Sequence, residues 1–317
     1  MARALASSAF ARPRPVERLE SPQDQAAGLR HLLGGAVPQP FSRGKPQPRL
    51  RVLAVTGSTE QSGKSAIVAR LAQHAAGTDR VLVLDQTANE VAHHAGVTAR
   101  HDLFDLVSGR LAFDAVAVPS GNWRLLPARR GLRKLAEAGT KEEELFCTFL
   151  RLRDPVSLLL VNLDDQTRAP LPVGASGGEV LLITTPGQAA ITAAYARIKA
   201  LGRDAARSAG GVSRTLCPAA TPCMPGTPDT IRVLVNGASH YADARRVFRV
   251  LADTARNFLD IEPVYAGFLP PDRSGAPFGT TRHAPPPACT AALARLAAAA
   301  RSWRLAEYTL PETSGLE

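Results

Sequence analysis

Lysine is scarce in this chain: of 38 basic residues in 317 only Lys45, Lys64, Lys134, Lys141 and Lys199 are lysines, and the rest are arginines. A lysine kept in a specific place therefore gains weight. The formal net charge of +10 permits contact with nucleic acid or anionic lipid without demonstrating either. Cysteine is equally sparse. Cys147, Cys217, Cys223 and Cys289 include a single close pair, spaced Cys-x5-Cys. That excludes a disulfide framework and a zinc spacing, and it fits a reducing cytoplasm. Nowhere is there a run of about 18 apolar residues, so no membrane-spanning helix is expected. The first residues lack a sustained apolar core before Pro13, so no secretory leader is expected either. What is present is ordinary for a globular chain, with 45% hydrophobic and 21% charged residues and enough length for a full core.

Residues 1–48 form a separate arm, punctuated by Pro13, Pro15, Pro22, Pro38, Pro40, Pro46 and Pro48. Inside it the pattern predicts one short helix over about 21–34. Ser21 caps it, Pro22 takes the first helical position, Asp24 completes a capping box, and Gly34-Gly35 ends it. Ala26, Leu29 and Leu33 share one face, which gives the helix something to dock with. From residue 50 onward apolar runs at 50–55, 81–84, 156–161, 180–183, 231–235 and 264–269 read as strands, with helical stretches between most of them. Such alternation predicts an α/β fold, a mostly parallel sheet with helices on both faces. Residues 203–229 break the rhythm and read as a surface insertion carrying Cys217 and Cys223.

The first strand runs into Thr56-Gly57-Ser58-Thr59-Glu60-Gln61-Ser62-Gly63-Lys64-Ser65, and a helix starts at Ala66. Strand, loop, Gly-Lys-Ser, helix is the phosphate-loop arrangement. Backbone N–H groups and the helix N-terminus face a polyphosphate, the lysine neutralises it, and the serine hydroxyl meets Mg²⁺. Gly57, Gly63, Lys64, Ser65 and Ala66 are the candidate nucleotide residues, although Ser58 holds the slot of the usual first glycine.

Together with the segments downstream of this loop, the chain resembles the MinD/ParA group of deviant-Walker ATPases and, within it, the FlhG/FleN family of flagellar regulators. That family reads TGGKGGVGKT where this chain reads TGSTEQSGKS. Val81-Leu82-Val83-Leu84-Asp85 resembles its second strand and first acidic residue; Trp123-Arg124-Leu125-Leu126-Pro127, Thr184-Thr185-Pro186, Ala193–Leu201, Val233-Leu234-Val235-Asn236 and Gly267–Asp272 come in family order. The resemblance spans roughly residues 20–300. It implies a MinD/ParA-like domain over 49–312, a tail at 313–317, ATP or ADP with Mg²⁺ as ligands, Asn236 against the adenine, and Ser65 and Asp85 on the metal side. From the residues alone, Asn236 is equally a strand-end polar group, and Asp85 equally a capping aspartate.

The departures fall on the chemistry. The family's signature lysine falls at Thr59, its loop glycines at Glu60 and Gln61, its water-positioning carboxylate at Thr87, and its metal-side aspartate at Asn162. Phosphoryl transfer depends on positioning and charge neutralisation, so nucleotide binding is expected to be weak or absent and turnover negligible, with Asp85 the one remnant of the catalytic set. The arm departs less: Asp24-Gln25-Ala26-Ala27-Gly28-Leu29-Arg30 matches the family's DQAxxLR motif. The resemblance implies that Asp24, Gln25, Ala26, Leu29 and Arg30 contact FlhF, a signal-recognition-type GTPase, and stimulate it. Flagellar switch (C-ring) proteins or a flagellar transcription regulator are further implied partners, with no specific nucleic acid. The implied location is cytoplasmic, with peripheral contact at the inner membrane or cell pole.

Other readings stay open beside this one: an active MinD/ParA-type ATPase cycling between cytoplasmic monomer and membrane-bound dimer, and a DNA-binding partitioning protein. The stretch 290–305 reads as a helix whose largely alanine face suits packing on the sheet better than membrane binding. His93, His94 and His101 are expected to be solvated.

Overall fold

The computed structural model describes residues 49–138, 142–152, 154–164, 178–209, 230–272, 274–280 and 285–309. The helix expected at 21–34, Cys217, Cys223, Asp165 and the tail lie outside them.

Nine strands form one sheet: β1 (Arg49–Gly57), β2 (Val81–Asp85), β3 (Val118–Ser120), β4 (Trp123–Pro127), β5 (Leu158–Asn162), β6 (Glu179–Thr184), β7 (Thr230–Asn236), β8 (Val264–Leu269) and β9 (Ala306–Thr309). Their order is β3-β4-β2-β5-β1-β6-β7-β8, with β9 paired to β1 off that path. Only β3 on β4 and β9 on β1 run antiparallel. All six strands expected from apolar runs are present. The sequence reading missed β9 and did not assign β3 and β4 as strands. β1 is long enough to hold three neighbours: Arg51 to Val55 pairs with β5 on one edge, while Arg49 to Val52 pairs with β9 and Ala54 to Gly57 with β6.

The helices are α1 (Lys64–Ala75), α2 (Glu90–Ala95), α3 (Leu103–Val107), α4 (Phe113–Val116), α5 (Arg129–Glu137), α6 (Glu142–Leu150), α7 (Gln188–Ala209), α8 (Tyr241–Leu259) and α9 (Pro287–Ala300). Alternation along each strand sends its side chains to opposite faces. Leu53 and Val55 of β1 join α1, α2 and α9 in one core, while Val52 and Ala54 join α3, α5 and α6 in another. Both faces are thus covered, which is why the central strands read as continuous apolar runs. The α7 helix continues to Ala209, into the stretch read as an insertion; residues 210–229 lie outside the described ones. In α9 Cys289, Leu293 and Leu296 are buried, and desolvation pushes the Cys289 thiol up to about 11. The helix expected as far as residue 305 stops at Ala300 and gives way to β9. Among the described residues no helix is long and apolar enough to cross a membrane.

At the start of β6 the buried Glu179 accepts from both Arg232 side-chain nitrogens Nε and Nη2, and from the Arg304 backbone N–H at 3.1 Å. Arg232 in turn lies 4.6 Å from the Trp303 ring centroid. One carboxylate therefore joins β6, β7 and the turn that leads into β9. Replacing it with alanine leaves a largely buried guanidinium without its counter-charge. Glu179→Ala is expected to cost about 3 kcal/mol, read as a lowered midpoint in urea denaturation.

Candidate functional site

The candidate site sits at the C-terminal ends of the parallel strands, where α/β sheets place ligands. β1 ends at Gly57; a single 3-10 turn spans Glu60–Ser62, and Gly63 turns the chain into α1 with φ +74°. A Cβ on Gly63 would meet the Phe278 carbonyl oxygen at 2.0 Å and Asn236 Nδ2 at 2.7 Å. Both the left-handed backbone and the close approach therefore demand glycine. Lys64 is buried, with its ammonium donating to the Leu163 carbonyl just past β5. Glu60 and Gln61 are exposed. Thr56 accepts from Arg197 Nε at 2.7 Å, which ties the root of the loop to α7.

Register places Asp85, at the end of β2, directly beside Asn162, at the end of β5. Both are fully buried. Asn162 Nδ2 donates to Asp85 Oδ1 at 2.9 Å and to Ser65 Oγ at 3.2 Å. A carboxylate only accepts, so the amide must present its N–H₂ group on this side. Asp85 Oδ1 also takes the Thr87 N–H at 3.0 Å and the Thr87 hydroxyl at 2.7 Å, and Oδ2 takes the Val91 N–H at 3.2 Å. The last bond makes Asp85 a tether for the first turn of α2. The Ser65 hydroxyl donates to Glu90 Oε2 at 2.6 Å. Mg²⁺ does not fit this set as it stands. The serine hydroxyl is already donating to a carboxylate, Asn162 turns hydrogens towards it, and Asp85 is held by four donors.

Asn236, at the end of β7, is equally committed. Its Nδ2 donates to the Ser62 carbonyl at 2.9 Å and the Phe278 carbonyl at 2.8 Å, while Oδ1 accepts from the Phe278 N–H at 3.1 Å. The strap 277–279 is thereby pinned across the loop, and a Cβ on Gly279 would meet Ala66 Cβ at 2.3 Å. The structure thus brings together Gly57, Gly63, Lys64, Ser65, Ala66, Asp85 and Asn236; Asp24, Gln25, Ala26, Leu29 and Arg30 lie outside the described residues.

Among the described residues, five buried side-chain polar atoms have no hydrogen-bond partner. Ser58 Oγ and Ser62 Oγ belong to the loop, Gln86 Nε2 and Asn162 Oδ1 to the strand ends beside it, and Tyr265 OH lies elsewhere. Buried polar groups are normally paired, so this concentration marks a place kept for water or a small polar guest. Hydroxyls donate and accept, the Gln86 N–H₂ donates and Asn162 Oδ1 only accepts, so the mixed set suits water.

Sequence reasoning missed Glu90 and Phe278. Glu90 is visible only as an acidic residue in the first turn of a short helix, and Phe278 acts through its backbone. His93, His94 and His101 are all exposed, as expected; partial desolvation, followed by neighbouring His93, holds the His94 imidazole below its ordinary value. No group of three His, Cys, Asp or Glu side chains among the described residues is placed to hold a metal.

In sequence the chain is 28% identical over 234 residues to the antiactivator FleN of Pseudomonas aeruginosa, which covers 71% of this chain and 75% of FleN. No family model matches it. In structure it is similar to a chain of the MinC:MinD cell division complex of Aquifex aeolicus, at TM-score 0.52 and 15% identity over 81% of this chain and 97% of that one. It is also similar to McdA of Cyanothece in complex with ATP, at TM-score 0.55 and 10% identity over 81% and 98% of the two chains. MinD of Pyrococcus horikoshii with Mg-ADP aligns at TM-score 0.50 and 15% identity over 80% and 96%. The fold is that of the MinD/ParA P-loop proteins.

Removing the Asn236 side chain takes three hydrogen bonds from buried groups of the loop and strap. Asn236→Ala is expected to destabilise the protein by roughly 3 kcal/mol. Urea denaturation measures the loss, and faster amide exchange at Phe278 locates it.

Proposed function

We infer that this chain, related in sequence to FleN and built on the MinD/ParA fold, is an FlhG-like regulator of flagellar number and placement. The observation that carries this reading is the 234-residue likeness to an antiactivator, combined with a loop whose catalytic positions hold other residues. Its route of action is the arm. Asp24, Gln25, Ala26, Leu29 and Arg30 engage the signal-recognition-type GTPase FlhF, with Leu29 anchoring the helix and Gln25 acting beside the bound GTP. Flagellar switch proteins or a flagellar transcription regulator are its further partners. The protein works in the cytoplasm, peripheral to the inner membrane or at the pole.

The loop domain serves as a scaffold. Gly57, Gly63, Lys64, Ser65, Ala66 and Asn236 are what remains of a nucleotide site that binds ATP or ADP weakly or not at all, and hydrolysis is negligible. Thr59 in place of the signature lysine, Thr87 in place of the water-positioning carboxylate and Asn162 in place of the metal-side aspartate support this view.

The test adds the full chain to the flagellar GTPase of the same organism and monitors GTP hydrolysis. Stimulation is expected with the wild type and with Lys64→Ala, and is expected to be lost with Gln25→Ala. An active GTPase left unstimulated by the wild-type chain would overturn the arm's role. Lys64-dependent ATP hydrolysis by the chain alone would replace this reading with that of an active ATPase.

A further inference from the structure

Glu90 has no part in the sequence-level expectation of the site, yet it meets the one hydroxyl on which a metal in a phosphate loop depends. Its carboxylate oxygen lies 2.6 Å from Ser65 Oγ, and Ser65 Oγ also accepts from Asn162 at 3.2 Å. Asn162 closes the path to Asp85, and Asp85 holds the Val91 N–H one residue beyond Glu90. The result is a closed circuit of hydrogen bonds from α1 to β5 to β2 to α2 and back to α1. In a loop that carries a divalent cation, the cation and its waters make these ties. Here an amide and two carboxylates make them.

We propose that Glu90 is the residue that makes this loop independent of divalent metal: by taking the Ser65 hydroxyl it occupies the metal side from within the chain. Three features converge on this. The 2.6 Å bond to an acceptor-only carboxylate directs the serine proton away from any incoming ligand. The Asn162 amide offers hydrogens where a cation needs oxygens. And Glu90 stands at the first position of α2, where the helix N-terminus favours its negative charge. Any phosphate the loop accepts is then bound by Lys64 and by the loop's hydroxyl and backbone donors, with no cation. The inference rests on reading 56–65 as a degenerate phosphate loop. It does not depend on the arm, because the GTPase assay reports on residues 24–30 whereas thermal unfolding reports on residues 65 and 90.

Thermal unfolding of the full-length protein tests it. Glu90→Ala is expected to lower the Tm by about 3 °C in the wild type and by much less in a Ser65→Ala background, since the charge-assisted bond exists only when both partners are present. Equal losses in the two backgrounds would overturn the proposal. Glu90 is exposed, so the single variant keeps the fold even if Ser65→Ala does not. In that event Glu90→Gln, which can still accept from Ser65, is expected to retain most of the wild-type Tm, and a loss as large as that of Glu90→Ala would sink the idea. The second measurement compares ADP in EDTA with ADP in excess Mg²⁺. The wild-type Tm is expected to be the same in both; a rise of several degrees that requires Mg²⁺ would overturn the proposal.

Discussion

A side-chain amide has two hydrogens to give, and Asn162 gives one to Ser65 and the other to Asp85. Much of the site depends on that allocation. The amide cannot turn over without setting its oxygen against a carboxylate, so the ends of β2 and β5 and the first turn of α1 are held in one arrangement. Asp85, held in that arrangement, takes the Thr87 backbone and hydroxyl and the Val91 N–H, and so orients α2. Ser65, having accepted from Asn162, donates onward to Glu90. An aspartate in place of Asn162 would set a second carboxylate against Asp85 and would need a cation or a shared proton between them.

The opposite wall of the loop is set in a different manner. Asn236 spends its amide on backbone groups of Ser62 and Phe278, and Gly63 has no side chain so that the strap can lie against it. The loop is therefore held by an amide on each side, Asn236 on one and Asn162 on the other, with the Glu90 carboxylate added on the Asn162 side. Its buried cation, Lys64, is directed to a carbonyl beyond β5.

The sheet was largely legible because its central strands are buried on both faces and so are written as unbroken apolar runs. β9 was not: its four residues alternate, and it pairs with a strand more than 250 residues away, a relation that no local pattern carries. The loop residues were legible from Gly-Lys-Ser between a strand and a helix. Glu90 was hidden because its partner is 25 positions away and the contact exists only once β2 lies beside β5 and α2 has turned back over α1. Phe278 was hidden for a deeper reason, since a residue that acts through its backbone leaves no chemical signature in its side chain. For Asn236 and Asp85 the sequence offered two roles each, and the geometry shows which protein groups each of them touches.

The antiparallel pairing of β9 with the first half of β1 sets Thr309 beside Arg49. The first and last described residues are therefore neighbours, and both lie at the foot of the sheet. β1 must climb its full nine residues, about 26 Å of strand, before it reaches the loop. Arg49 thus lies at the end of β1 opposite the phosphate loop, beside Thr309. A label placed at Arg49 would crowd Thr309 while leaving the loop untouched, whereas a label placed near Ser58 would do the reverse.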